Sequence, residues 1–214
     1  MQASTKLLSR VDHLIYGTPD LEASIKHLEE VLGVKAGHGG QHPGQGTRNA
    51  VLALGPTSYL EIIGLDPEQP EPDRPRWLGI DDLDAPRLVT WAAKGQALGS
   101  VVNQAAQANV HLGSVLSGRR DRPDGSALHW KLTDPHQVVD DGIVPFFIDW
   151  GDSPYPATTA PGGLTLVGLR AEHPRAKHVC QDLEHLDLAL PVVVGTQPAL
   201  IAMIRTRKGL VELR

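Results

Sequence analysis

Two proline-rich seams limit what this chain can fold into more than any other feature. Residues 66–76 (DPEQPEPDRPR) hold Pro67, Pro70, Pro72 and Pro75, and residues 151–163 (GDSPYPATTAPGG) hold Pro154, Pro156 and Pro161. Proline fixes φ and lacks an amide donor, so neither stretch belongs in a central strand or a helix interior. The seams cut the 214 residues into three pieces of broadly similar size. So regular a division points to an internal repeat.

The first piece reads as strand, helix, then two or three strands. Residues 11–16 (VDHLIY) predict a strand. Thr18 is expected as the helix N-cap, with Pro19 at the first helical position and Asp20 in the first turn. Leu21, Ile25, Leu28 and Leu32 make one apolar stripe, and Gly33 stands where the helix would stop. A glycine-rich stretch, a strand at 50–54, a turn at Gly55-Pro56 and a strand at 59–63 follow. The third piece repeats that order: a strand at 164–170, a helix opened by His173-Pro174, then strands at 192–194, 199–205 and 210–214. Its ending, Leu210-Val211-Glu212-Leu213, matches Tyr59-Leu60-Glu61-Ile62. The middle piece fits more loosely. It has a strand at 88–93, a stripe of Leu98, Val101, Val102, Ala105 and Ala106, a turn at 122–126, and strands at 127–133 and 144–150 that place Asp149 where the first piece has Glu61. The expectation is an α+β chain of βαβββ modules at 8–66, 86–151 and 163–214 in one structural unit. A two-module fold with elaborations is the rival.

Composition narrows the function classes. Hydrophobic residues are 41% and charged residues 21%, which is globular. A net charge of −5 with no basic run offers nothing to a nucleic-acid backbone or an anionic membrane. No apolar stretch approaches a membrane span, and the first ten residues are too short and polar for a secretory signal. Cys180 is the lone cysteine, which suits a reducing compartment, so a cytoplasmic location is expected. Ten histidines are generous, but His27, His178 and His185 sit beside charges in helix-like stretches and read as solvated. No GxSxG, P-loop, HExxH or CxxC motif occurs.

Strand alternation puts His13 on the face of Val11 and Ile15, and Glu61 on the face of Tyr59 and Ile63. A carboxylate among apolar strand residues must be paired, exposed or chelating. His42 lies among Gly39, Gly40, Gly44 and Gly46, in a loop that either folds over a ligand or simply moves. The middle piece holds Trp91, Trp130, Phe146, Phe147 and Trp150, either a pocket lining or, the favoured reading, the core of its module. Arg119, Arg120 and Arg122 either bind a substrate carboxylate or, again favoured, form a solvated turn.

The residues Asp12-His13-Leu14-Ile15-Tyr16, the helix after Asp20, the run 39–49 (GGQHPGQGTRN) and the run 59–63 (YLEII) together resemble the glyoxalase-like domains of the vicinal-oxygen-chelate superfamily. The resemblance extends more weakly through residues 121–130 and 142–151. It implies a curved mixed sheet with helices on its convex face and a ligand site on its concave face. It further implies a divalent metal, zinc, iron, manganese or nickel, held by His13 and Glu61, with His42 as a further ligand and Glu61 as the catalytic group. Asn49, Trp91, Trp130 and Asp149 are the expected substrate contacts, and Asn49 is also placed to hold Glu61. The later modules depart from the pattern, since Thr90 or Trp91 and Gly168 stand near the first-strand position. A third ligand must then come from His42, Asp149 or Glu212. The expected function is a metal-assisted lyase, isomerase or dioxygenase acting on a small molecule, in a chain able to form a homodimer. The alternative is a metal-free binding protein of the drug-sequestering, bleomycin-resistance type.

Overall fold

The structure, a computed structural model, describes residues 5–121 and 127–214; the turn expected at 122–126, with Arg122, lies outside the described residues. The first seam is preceded by α1 (Thr5–Arg10), β1 (Val11–Gly17), α2 (Leu21–Leu32), β2 (Gly37–His42), β3 (Thr47–Ala53) and β4 (Tyr59–Leu65). Between the seams run β5 (Arg87–Lys94), α3 (Leu98–Gln107), β6 (Val115–Asp121), β7 (Ala127–Thr133) and β8 (Phe146–Asp149). Then come β9 (Thr165–His173), α4 (Ala176–His185), β10 (Val192–Val194), β11 (Ala199–Thr206) and β12 (Gly209–Leu213).

Local chemistry sets the ends of α2. Asp20, rather than Thr18, is the N-cap: its carboxylate accepts from the Ala23 amide. The Thr18 hydroxyl is already engaged, accepting the Asp20 N–H and pairing with Ser24. Gly33 ends the helix at φ 74°, its N–H returning to Glu29 O, a conformation that costs glycine no Cβ clash.

The first two segments share one eight-stranded, curved mixed sheet in the order β2-β3-β4-β1-β5-β8-β7-β6. In each half the first strand pairs in parallel with the last, β1 with β4 and β5 with β8. The antiparallel β1–β5 pair joins the halves. Alternation divides the side chains. Leu14, Leu60, Ile62, Trp91 and Phe147 face the core beneath α2 and α3, whereas Ile15, Ile63, Ala92, Phe146 and Ile148 face the hollow side.

The C-terminal strands form a separate four-stranded sheet, β10-β9-β11-β12. Here β9 pairs in parallel with β10, the next strand, and antiparallel with β11. The order of elements repeats, but the pairing differs. This unit covers the convex core, to which Leu166, Leu169, Val179, Leu183, Leu200 and Ile204 contribute, and Leu166 N–H donates to Leu54 O. Among the described residues, no helix is long and apolar enough to cross a membrane.

Candidate functional site

The hollow side of the sheet holds a cavity of about 60 Å³ walled by His13, His42, Asn49, Tyr59, Glu61 and Arg120 on its polar side. Ile15, Trp77, Trp130, Phe146, Ile148 and Trp150 supply apolar walls. An outer chamber of about 180 Å³ shares His42, Trp77, Trp130, Leu132 and Pro135 with it.

A β-bulge builds the His13 side. Val11 pairs with Ala93 and His13 with Ala92, so Asp12 is the extra residue on β1. A bulge breaks the period-two alternation. Val11 therefore joins the convex core, away from His13, correcting the shared face expected for the two. Asp12 and His13 instead meet side chain to side chain, Asp12 Oδ1 lying 2.7 Å from His13 Nδ1. The Tyr155 hydroxyl, from the second proline seam, donates toward the Asp12 and Thr57 carbonyls at 2.7 and 2.9 Å and pins the bulge. Trp150 Nε1 donates to the same Asp12 oxygen. An ionised carboxylate only accepts, so Nδ1 carries a ring proton and Nε2 is the nitrogen turned to the cavity, a lone pair whenever the ring is neutral. Tyr59 stacks on the His13 ring at 4.5 Å between centroids.

Nε2 of His13 lies 3.5 Å from Glu61 Oε2, and Nε2 of His42 lies 3.5 Å from Glu61 Oε1. Asn49 Nδ2 donates to Oε1 at 2.6 Å and fixes the carboxylate. Behind Asn49, Arg120 Nη1 reaches its Oδ1 at 3.5 Å. Thr47 Oγ1 contacts His42 Nδ1 and accepts from Trp77 Nε1. Burial pushes His42 below the usual imidazole range, with Glu61 pulling the other way and Arg120 adding to the depression. Burial also drives the Tyr59 phenol well above its ordinary value, with the Glu61 and Asp12 charges adding to the rise.

The structure thus brings His13, His42, Asn49, Glu61 and Trp130 to one cavity. Trp91 lies elsewhere: it is fully buried on the convex side, its Nε1 donating to Ile143 O. Asp149 is turned away too. Phe146 pairs with Ala92 as Tyr59 pairs with His13, so Ile148 holds the place of Glu61 and the next residue faces the other side. Asp149 Oδ1 instead accepts the Gly151 N–H. The position matching His13 is Ala92, next to the expected Trp91. Glu212 is engaged with Arg170 and Arg214 on the C-terminal sheet. The glycine-rich stretch is no loose loop but the edge strand β2 and its turn. A Cβ at Gly39 would collide with Asn49 Oδ1, so glycine there lets Asn49 reach Glu61.

Sequence reasoning gave no role to Asp12, Thr47, Trp77 or Tyr155. For Asp12 the signal was its place beside His13, which strict alternation argues against.

Among the described residues, the acid–histidine group whose ligand atoms all lie within 4.8 Å of one another is Asp140, His178 and Asp182, none of which lines this cavity.

Residues 11–186 match the family model described as a glyoxalase-like domain. The chain belongs to the glyoxalase-like domain family. This glyoxalase-like domain is also similar to solved structures of low identity. A hypothetical protein from Staphylococcus aureus is 13% identical with a TM-score of 0.59, over 94% of this chain and 84% of that one. Methylmalonyl-CoA epimerase from Mycobacterium tuberculosis, of the vicinal-oxygen-chelate superfamily, is 17% identical with a TM-score of 0.44, over 73% and 97%. The Streptomyces coelicolor methylmalonyl-CoA epimerase in complex with 2-nitronate-propionyl-CoA is 16% identical with a TM-score of 0.45, over 69% and 98%. At 13% identity the likeness to the Staphylococcus aureus protein concerns the fold alone. No curated protein matches the glyoxalase-like domain.

Proposed function

We propose that this glyoxalase-like domain is a small-molecule enzyme that moves a proton next to a substrate carbonyl, as an isomerase or lyase does, with a divalent metal held by His13, His42 and Glu61. One observation carries the reading. Two buried imidazoles aim Nε2 at different oxygens of one carboxylate, each at 3.5 Å, while their Nδ1 atoms are engaged behind by Asp12 and Thr47. For His13 the cavity-side nitrogen faces a carboxylate oxygen, an arrangement that calls for a cation or a proton between them. Carboxylate-backed imidazole is the usual support for a metal-ligating histidine. Imidazole and carboxylate donors of these types suit zinc, iron, manganese or nickel.

Such an ion, when bound, polarises a carbonyl and stabilises negative charge developing on its oxygen. The chain supplies the rest. Asn49 holds Glu61 Oε1 and orients the carboxylate that would accept a proton from the substrate carbon. Trp130, Phe146 and Ile148 exclude water from that transfer. Arg120, at the edge of the same cavity, suits an anionic group on the substrate.

The test is metal content by mass spectrometry after reconstitution, for the native chain beside His13→Ala and Glu61→Gln. Loss in both variants of one equivalent that the native chain holds supports the reading. Equal metal in all three sinks it. A second reading, metal-free ligand sequestration, is supported by the second half of the sheet, where Ala92 and Ile148 replace any ligand. It predicts thermal stabilisation by a ligand that chelators leave unchanged.

A further inference from the structure

A separate cluster sits where the C-terminal unit meets the sheet. Asp140 lies in the turn between β7 and β8, and His178 and Asp182 lie one helical turn apart on α4. His178 Nε2 is 3.9 Å from Asp140 Oδ1 and 3.6 Å from Asp182 Oδ2. The Asp140 side chain is only 4% exposed. Its Oδ2 is buried without a hydrogen-bond partner. A carboxylate oxygen left dry and without a donor is costly, and its neighbour in this cluster is another carboxylate. Arg175 Nη2, on a largely exposed side chain, is 3.2 Å from Oδ1 and partly offsets the charge, but it gives nothing to Oδ2. The same turn is tied to the C-terminal unit once more, through Asp141 Oδ2 and His173 Nε2 at 2.9 Å.

We infer that Asp140, His178 and Asp182 bind a divalent cation that clips α4 of the C-terminal unit to the eight-stranded sheet. One imidazole with two carboxylates selects a zinc-like or manganese-like ion over calcium or magnesium. The half-exposed His178 leaves room for water to complete the coordination. The ion would give Asp140 Oδ2 the positive partner it lacks. The role is structural, since none of the three residues lines the cavity of His13 and Glu61.

The experiment uses the full chain carrying His13→Ala and Glu61→Gln, so that the proposed catalytic metal cannot contribute. Zinc and manganese are titrated by calorimetry into chelator-treated protein, and melting is followed with and without metal. One equivalent is expected to bind, with Tm rising by roughly 5–10 °C when free metal is a hundredfold above its Kd. Adding His178→Gln should weaken binding at least tenfold and abolish the Tm rise. Adding Asp182→Asn places an amide donor beside Asp140. That variant should melt no lower than its parent without metal and gain nothing from metal. Absence of binding in the parent, or binding unchanged by both substitutions, overturns the proposal. Absence of binding joined to a melting gain in Asp182→Asn would assign the cluster to a shared proton instead. Metal loss at His13 and Glu61 in the native chain is scored separately, so either site can fail alone.

Discussion

Asp12→Asn isolates what orients the proposed metal ligand. The side chain is almost fully buried, and its Oδ1 accepts from His13 Nδ1 at 2.7 Å and Trp150 Nε1 at 3.2 Å. Asparagine keeps the shape, and with its oxygen toward these donors it retains both bonds. What it loses is the negative charge. A charge-assisted bond is about twice as strong as a neutral one, so the contact to His13 weakens by about 1 kcal/mol. The imidazole is then freer to carry its proton on Nε2, the atom that faces Glu61. Removing such support from a metal-ligating histidine typically weakens metal binding about 10–100-fold, equivalent to about 1.4–2.7 kcal/mol. The assay is competition for zinc against a chromophoric chelator, paired with thermal melting. Trp150→Phe is the control, because it removes the other donor to Oδ1 and leaves the His13 contact in place. Its metal affinity should stay within about threefold of native while its Tm falls. Native affinity in Asp12→Asn, or an equal loss in Trp150→Phe, would refute the idea that Asp12 acts through His13.

Trp91→Phe, on the convex side, leaves Ile143 O without its indole donor. It should cost about 1–3 kcal/mol in urea unfolding and leave metal affinity at His13 unchanged; a change in that affinity would place Trp91 in the site. Acid stability should depend on Arg76, whose guanidinium and backbone N–H contact Asp81 at 2.6 and 2.7 Å. Burial raises the Asp81 pKa, but those bonds more than offset it and hold the carboxyl below its ordinary value of 3.8. A depressed folded value stabilises the fold above the unfolded value and loses that contribution as pH falls through the folded one. Arg76→Gln should therefore flatten the acid limb below about pH 4 in chemical denaturation, and an unchanged limb would remove the pair from the account.

Much of the fold was legible because its signals are local. The apolar stripe Leu21, Leu28 and Leu32 and the stop at Gly33 delimit α2 without reference to the rest of the chain, although its cap is Asp20 rather than the expected Thr18. The strand–helix–strand order was legible for the same reason. Strand pairing was not. The C-terminal segment has the same order of elements, yet β9 sits beside β10, and the Glu212 that echoes Glu61 in sequence ends up between arginines. In the site, Glu61, His42 and Asn49 were readable as chemistry, but their contacts depended on phase. Period-two reasoning put Val11 with His13 and left Asp12 out, because one bulge reverses the phase. It also aimed Asp149 where Ile148 stands, since the register of β8 against β5 is set across space. Composition made β2 look like a loop, whereas its glycines make room for Asn49 and Arg120.

The unequal halves of the sheet have a physical consequence for reactivity. The ionisable groups come chiefly from the first half, on β1, β2 and β4, while across the β1–β5 seam the matching positions are Ala92 and Ile148. A second set of charges there would draw water into a chamber of about 60 Å³ and weaken every interaction in it. Ala92 stands opposite His13, and Ile148 and Phe146 line the cavity together with Glu61, Phe146 lying edge-on to the His13 ring at 5.7 Å. Asn49 holds one oxygen of the Glu61 carboxylate, with Arg120 behind it. The apolar half of the cup is thus part of the proposed chemistry, and a polar residue introduced at Ile148 should impair proton transfer even where metal binding survives.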